Sequence, residues 1–251
     1  MENIVDYPPG IFAAAFVIQW LAAWIGAKLG LRLHGAPEDV RSDYNIVLGA
    51  TLTLLGLIIA FSFSMALGRY DQRKNYEEAE ANAIGTEYVR ADVLPQADGD
   101  RVRELLKQYT DLRIRFYITR DKEDLRRIDA DTMRVQSELW TAAARPGMAQ
   151  PNQVVALAVS GMNDVINSQG YTQAAWLYRI PAGAWALMFA TAIFSNLLLG
   201  VEVRRFDLKL FTVLPLVIAV SFLLIADIDS PRRGMIRVHP LNLESLRGSL
   251  K

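Results

Sequence analysis

The fold is decided by one uncharged stretch of the chain, Ile46-Val-Leu-Gly-Ala-Thr-Leu-Thr-Leu-Leu-Gly-Leu-Ile-Ile-Ala-Phe-Ser-Phe-Ser-Met-Ala-Leu67. No residue in it is ionisable. At a rise of about 1.5 Å per residue, a helix of this length measures roughly 33 Å, which is close to the hydrocarbon thickness of a bilayer. The stretch therefore predicts a transmembrane helix.

Three further stretches share this character. They are apolar and almost free of charge, and they cover residues 11–29, 182–201 and 210–226. A soluble domain of 251 residues cannot place four such segments at its centre, so we predict four transmembrane helices. The first is expected to be retained rather than cleaved as a signal peptide, because the acidic Glu2 and Asp6 stand where a basic leader region would lie.

Most of the charge lies in a long section between the second and third predicted spans, where acidic and basic residues are interspersed. Its apolar residues recur with the period of a helix, and Arg145-Pro-Gly147 is expected to end one of its helices. We predict an all-α membrane protein with four transmembrane helices and a long helical soluble section. The expected divisions are 1–67 for an N-terminal arm and the first two spans, 68–180 for the soluble section, 181–227 for the last two spans and 228–251 for a polar tail.

The composition excludes several kinds of chemistry. Cysteine is absent, which removes disulfides, thiolate metal sites and cysteine nucleophiles. The 27 basic and 27 acidic residues cancel, so the net charge gives no reason to expect nucleic acid as a partner. The sequence also carries no nucleophile–base pair or phosphate-binding loop signature. We therefore expect no cofactor and no enzymatic activity.

Two junctions carry a resemblance to a known family. The second span ends in Phe61-Ser-Phe-Ser-Met-Ala-Leu-Gly-Arg-Tyr-Asp-Gln-Arg-Lys74, and the fourth is followed by Ile225-Ala-Asp-Ile-Asp-Ser-Pro-Arg-Arg-Gly234. Together with the long helical insertion between the second and third spans, these motifs resemble the bestrophins, a family of pentameric ion channels. The block Glu80-Ala-Asn-Ala-Ile-Gly-Thr-Glu-Tyr-Val-Arg-Ala-Asp92 is more similar still to a bacterial family described as bestrophin-like.

The resemblance implies a homo-oligomer, a pentamer by analogy, with a central pore that passes small inorganic ions across the lipid bilayer. It also implies that the termini and the soluble section lie in the cytoplasm, at the bacterial inner membrane. The charges do not decide the orientation independently, because the two predicted membrane surfaces carry nearly equal numbers of basic residues.

The resemblance further implies that the second span lines a narrow apolar neck. Thr53, Leu57 and Phe61 then resemble the lining positions, and Ser64 lies close to the same face. Rings of Leu and Phe can close a pore by dewetting, and hydroxyl groups offer partial rehydration. The alternative is that Leu57 and Phe61 pack between helices or against lipid.

A row of small residues on the second span makes a further prediction. Small side chains let membrane helices approach closely, so the row favours close packing either around a pore axis or within one subunit. Its members are Gly49, Thr53, Gly56, Ala60 and Ser64.

Basic residues follow the second span at Arg69, Arg73 and Lys74, and they are candidates for concentrating anions at a pore mouth. This basic cluster favours anion conduction, whereas the acidic residues after it argue for cations. Lipid phosphates and local salt bridges are alternative partners for the same residues.

Asp227 and Asp229, at the end of the fourth span, are weak candidates for a metal site. Bestrophins that respond to calcium carry an acidic cluster chiefly after the corresponding turn, but this chain has Arg232 and Arg233 there. The resemblance therefore does not extend to calcium activation. We expect the two aspartates to pair with nearby arginines and expect no bound metal.

Gln19 and Asn196 are amides inside predicted spans, and they predict a hydrogen bond between helices. The sequence as a whole leaves two functions open. The first is a bestrophin-like oligomeric ion channel, and the alternative is a non-conducting membrane protein whose helical soluble section binds a partner.

Overall fold

The computed structural model describes residues 7–33, 38–149, 153–202 and 208–250, and every regular element among them is helical. The predicted all-α fold class is therefore confirmed. Residues 1–6, most of the predicted N-terminal arm, lie outside the described residues. In chain order the elements are α1 (Pro8–Leu33), α2 (Glu38–Arg90), a 3₁₀ turn (Ala91–Val93), α3 (Gln96–Ile118), α4 (Lys122–Ala149), α5 (Gln153–Leu177), α6 (Ala182–Glu202), α7 (Leu208–Asp229) and α8 (Leu241–Ser249).

Four helical segments are long and apolar enough, by length and composition, to cross a membrane, and they include or overlap the four predicted spans. They are Pro8–Gly30, Ser42–Val93, Gln153–Glu202 and Phe211–Asp229. A bilayer core needs only about 20 helical residues, so α2 is much longer than a span requires. Its uncharged part is the stretch 46–67, and beyond that stretch the same helix continues into a densely charged sequence.

The chain forms two compact units. The first contains Met1–Arg69 and Arg179–Arg237, and the second contains Tyr70–Tyr178 and Val238–Lys251. The apolar spans therefore belong to the first unit, and the charged middle section belongs to the second together with α8. The long helix α2 begins in the first unit and ends in the second.

In the first unit, α1 and α6 pack with their backbones in direct contact. A Cβ atom added at Gly26 or Gly30 would overlap backbone atoms of α6, and one added at Gly200 would overlap the backbone of α1. The same two helices share a buried hydrogen bond, in which Asn196 Nδ2 donates to Gln19 Oε1 at 3.2 Å. The interhelical bond predicted for these amides is confirmed.

In the second unit, apolar residues from α2, α3, α4 and α5 form one hydrophobic core. Phe116 and Tyr117 of α3 make edge-on contacts with Trp176 of α5, at centroid distances of 5.2 and 5.4 Å. The predicted polar tail contributes the helix α8 to this core, because its Leu243 is completely buried there. The amphipathic periodicity of the middle section therefore produces a packed helical unit.

The expectation that Arg145-Pro-Gly147 ends a helix is wrong, because α4 continues through Pro146 to Ala149. Proline inside a helix removes one backbone donor and typically costs about 3 kcal/mol. Pro146 is buried in this helix, so the contacts of its ring offset part of that cost. Tertiary packing thus overrides the helix-breaking tendency of the Pro-Gly pair.

Candidate functional site

The spanning part of α2 buries only a narrow strip of its surface against its own chain. Leu48, Leu55, Ser62 and Ala66 are buried, at spacings of seven, seven and four residues. Residues at these spacings lie on one side of a helix with 3.6 residues per turn. This strip, which we call the packing strip, therefore marks the side of α2 that faces the rest of the chain.

The four predicted neck residues lie on the side of α2 opposite the packing strip. At 3.6 residues per turn, Thr53, Leu57, Phe61 and Ser64 are rotated by roughly 140–220° from it. All four are exposed, with 51% of Leu57 and 65% of Phe61 accessible. The structure thus brings these residues together on one exposed face, which we call the neck face.

The hydroxyl group of Thr53 on the neck face is free to act as an acceptor, because its hydrogen is already donated. Thr53 donates its hydroxyl hydrogen to the carbonyl oxygen of Gly49 at 2.8 Å. Its hydroxyl oxygen keeps its lone pairs, because a hydroxyl both donates one hydrogen and accepts. This oxygen is therefore available to accept a hydrogen bond or to contact a cation.

The glycines of the small-residue row have open space around them. A Cβ atom added at Gly49 or Gly56 would meet no atom within 4 Å, in contrast to Gly26, Gly30 and Gly200. Close packing within one subunit is therefore carried by α1 and α6 and not by these two glycines of α2. They remain accessible to a neighbouring chain or to lipid.

The structure does not bring the predicted basic cluster onto one exposed face. Arg73 is only 1% exposed. Arg69 is half-buried, and Lys74 is exposed. Only Lys74 of the three candidates is therefore fully available to solvent in the described chain.

A polar row occupies the exposed side of α2 just beyond the span. Asp71, Asn75, Glu78 and Asn82 are all exposed and follow each other at spacings of four, three and four. These spacings place them on one side of the helix, and they continue the spacing of the neck face along the sequence. The row is acidic, with two carboxylates and two amides.

The carboxylates of Asp227 and Asp229 bind backbone amides. Asp227 accepts hydrogen bonds from the N–H groups of Met235 and Ile236 at 2.7 and 2.8 Å. Both oxygens of Asp229 face the N–H of Ile180, at 3.1 and 3.2 Å. Asp227 therefore stabilises the turn that follows α7, and Asp229 holds the backbone just before α6. No group of three or more potential metal ligands occurs in the parts of the chain that the structure describes.

A family model described as the Bestrophin-like domain matches residues 13–243. The chain belongs to the bestrophin-like family. This match confirms the resemblance inferred from the sequence. It begins inside the first span and covers the other three spans and the middle section. No curated protein matches this bestrophin-like chain significantly.

Solved structures of a bacterial bestrophin homolog from Klebsiella pneumoniae are similar to this bestrophin-like chain. A form with one mutation has a TM-score of 0.65 at 13% identity, and the match covers 95% of this chain and 97% of that one. The form solved by Zn-SAD phasing has a TM-score of 0.64 at 13% identity and covers 95% and 96%. At this identity the similarity shows a shared fold.

Sequence reasoning missed the buried carboxylates of this bestrophin-like chain. Glu80 of α2 accepts hydrogen bonds from Arg113 Nε at 2.5 Å, from Thr172 Oγ1 at 3.2 Å and from the Tyr117 hydroxyl at 3.4 Å. Burial raises the pKa of Tyr117, so its hydroxyl stays a neutral donor. Glu80 therefore joins α2 to α3 and α5.

Glu77, one turn earlier, holds the first turn of α8. Its oxygens accept from the N–H of Leu243 at 2.9 Å and from Asn242 Nδ2 at 2.6 Å. A signal for both glutamates was present in the sequence. Positions 73, 77, 80, 84 and 87 continue the period of the packing strip, which marks the inward side of the helix.

Proposed function

We propose that this protein is an oligomeric ion channel of the bacterial inner membrane whose pore is lined by the spanning part of α2. The observation that supports this proposal is the neck face. α2 uses one side to pack on its own chain, and the opposite side, with Leu57 and Phe61, is left exposed. A helix arranged in this way can pack on its own subunit and still present side chains to a central axis.

The neck of such a pore would be apolar. Rings of Leu57 and Phe61 would form a constriction that closes by dewetting, and Thr53 and Ser64 would offer oxygen atoms on either side of it. The open glycines Gly49 and Gly56 leave room for a neighbouring copy to approach the same helix. By analogy with the family, the oligomer is a pentamer.

The exposed charges beyond the span favour cations. The expected preference for anions rests on a basic cluster, and its member Arg73 is buried. Asp71 and Glu78 are exposed, and their positions continue the helical spacing of Thr53, Leu57 and Phe61 along the sequence. Because rings of carboxylates select cations, we take small inorganic cations as the permeant ions.

The proposal includes the orientation and the absence of enzymatic activity. The soluble section and both termini face the cytoplasm, as the family resemblance implies. The partners of the chain are then inorganic ions, lipid and further copies of itself. No cofactor takes part in this account.

The symmetry of the purified protein tests the proposal. Mass measurement and single-particle imaging in detergent should give a ring of identical subunits with α2 next to the axis. A monomer, a simple dimer or a ring with α2 at its periphery would contradict the channel. Such a result would favour the alternative, a non-conducting membrane protein whose soluble section binds a partner.

A further inference from the structure

A buried carboxyl group without a hydrogen bond lies in the second unit. Glu87 is on the charged part of α2, more than five helical turns beyond the end of the uncharged stretch. Its side chain is completely buried, and neither carboxyl oxygen has a hydrogen-bond partner among the described residues. Buried polar groups are nearly always satisfied, so this exception calls for an explanation.

A glycine of α5 makes room for this carboxyl group. A Cβ atom added at Gly161 would overlap both Glu87 Oε2 and Arg90 Nη1. The ends of these two side chains therefore fill the space that the missing Cβ leaves at the contact of α2 with α5. The charged groups that act on the carboxyl are Arg90 on its own helix and Asp164, one turn beyond Gly161 on α5.

This environment suits a proton better than a metal ion. The Arg90 guanidinium occupies the same space and would repel a second cation. An ionised carboxylate here would have no contact with solvent and would accept no hydrogen bond in this arrangement, which is costly. The nearby Arg90 charge offsets only part of that cost, whereas a neutral carboxyl carries a much smaller penalty. Protonation therefore stabilises the packed arrangement.

We propose that Glu87 is a proton-binding switch, which keeps α5 packed against α2 while its carboxyl is protonated and loosens this contact when the carboxyl ionises. The switch lies in the soluble section and does not require that the protein conduct ions. Loosening gives the carboxylate access to water and reduces the protection of the backbone amides of α5.

The pH dependence follows from linkage. In the loosened form Glu87 ionises as an exposed glutamate does, near pH 4.3. Above that pH, loosening releases a proton, so the loosened fraction rises by up to about tenfold per pH unit. The rise levels off at the pH where the carboxyl ionises even in the packed form. The packed contact is thus most stable in acid and weakens toward alkaline pH.

Hydrogen exchange of the full-length protein in detergent tests the switch. Exchange is followed in peptides from α5 and from positions 84–91 and is corrected for intrinsic exchange. The pH runs from roughly 5 to 9, which lies above the ordinary pKa of a glutamate. The wild type should lose protection in α5 as pH rises. Glu87→Gln, which mimics the neutral form, should remove this dependence, and the exposed control Glu104→Gln should retain it.

Two variants test the role of the charges even if Glu87→Gln fails to fold. Asp164→Asn removes a like charge and should reduce the total loss of protection between acid and alkaline pH. Arg90→Gln removes an opposite charge and should increase this loss of protection. Protection in α5 that is independent of pH in the wild type, or a Glu87→Gln profile equal to that of the wild type, would overturn the proposal.

Discussion

Glu80 of α2 and Arg113 of α3 form an ion pair in which Oε1 and Nε are 2.5 Å apart and neither side chain is exposed. The guanidinium also lies over the ring of Phe116, with its carbon 4.4 Å from the ring centroid. Burial alone would lower the pKa of Arg113, but the charge and hydrogen bond of Glu80, together with Tyr109 and Tyr117, outweigh burial and raise this pKa, so the guanidinium stays protonated. The pair therefore fixes how two helices of the second unit meet.

Breaking this pair on one side should be more harmful than removing it. We expect Arg113→Met to lower the free energy of unfolding by about 3–5 kcal/mol, because it leaves an uncompensated buried carboxylate. The double variant Glu80→Leu/Arg113→Met should recover a large part of the loss. Denaturant unfolding in detergent, followed by tryptophan fluorescence, measures both. If the loss in the double variant equals the sum of the losses from the two single substitutions, the two charges are not coupled.

The glycines predict where an added methyl group is tolerated. Gly200→Ala should destabilise the first unit by about 1–3 kcal/mol, because its Cβ would overlap the backbone of α1. Gly183→Ala on the same helix is the matched control, since nothing lies within 4 Å of its Cβ position. Thermal unfolding of both variants in detergent measures the difference. Equal stabilities would contradict the backbone contact of α1 with α6.

Asp121 predicts a local dependence on acid. It precedes α4 and accepts hydrogen bonds from the N–H groups of Glu123 and Asp124, both at 2.9 Å. These bonds, chiefly that of Asp124, lower the pKa of Asp121 below its usual value. The stabilisation is therefore present above the unfolded pKa and is lost as pH falls through the folded one.

Hydrogen exchange in the first turn of α4 measures this effect. The wild type should lose protection there as pH falls below about 4, the ordinary value for an aspartate. Asp121→Ala should be poorly protected at every pH, because the capping oxygen is gone. A first turn in Asp121→Ala that is as well protected as in the wild type would show that this cap does not hold the helix.

Part of this architecture could be predicted from the sequence, because membrane spans and amphipathic helices are recognised from the polarity and spacing of residues along the chain. The uncharged stretch 46–67 and the amides Gln19 and Asn196 were sufficient for the spans and one bond between them. Pro146 misled because its local cost is offset by burial, which no local pattern records. Arg73 is a candidate pore-mouth charge by sequence, but its side chain is buried, and burial depends on tertiary packing that the basic cluster alone does not indicate.

The acidic row predicts the ion preference. Asp71→Asn and Glu78→Gln should each shift the reversal potential under a salt gradient toward lower cation preference, since each removes one carboxylate per subunit from the exposed side of α2. Glu104→Gln on α3 removes an exposed carboxylate elsewhere and should leave the reversal potential unchanged. A wild type that prefers anions would contradict the proposed sign and restore the expectation drawn from the basic cluster.

The most direct test of the proposed channel is the current through purified protein in a planar bilayer. The wild type should conduct, and Leu57→Ala and Phe61→Ala should each raise the current, because a wider and less apolar neck dewets less readily. Leu187→Ala on α6 is the matched control, since this leucine is 53% exposed and Leu57 is 51% exposed. The control should conduct as the wild type does. No wild-type current, or neck variants that conduct no differently from it, would contradict a pore lined by α2.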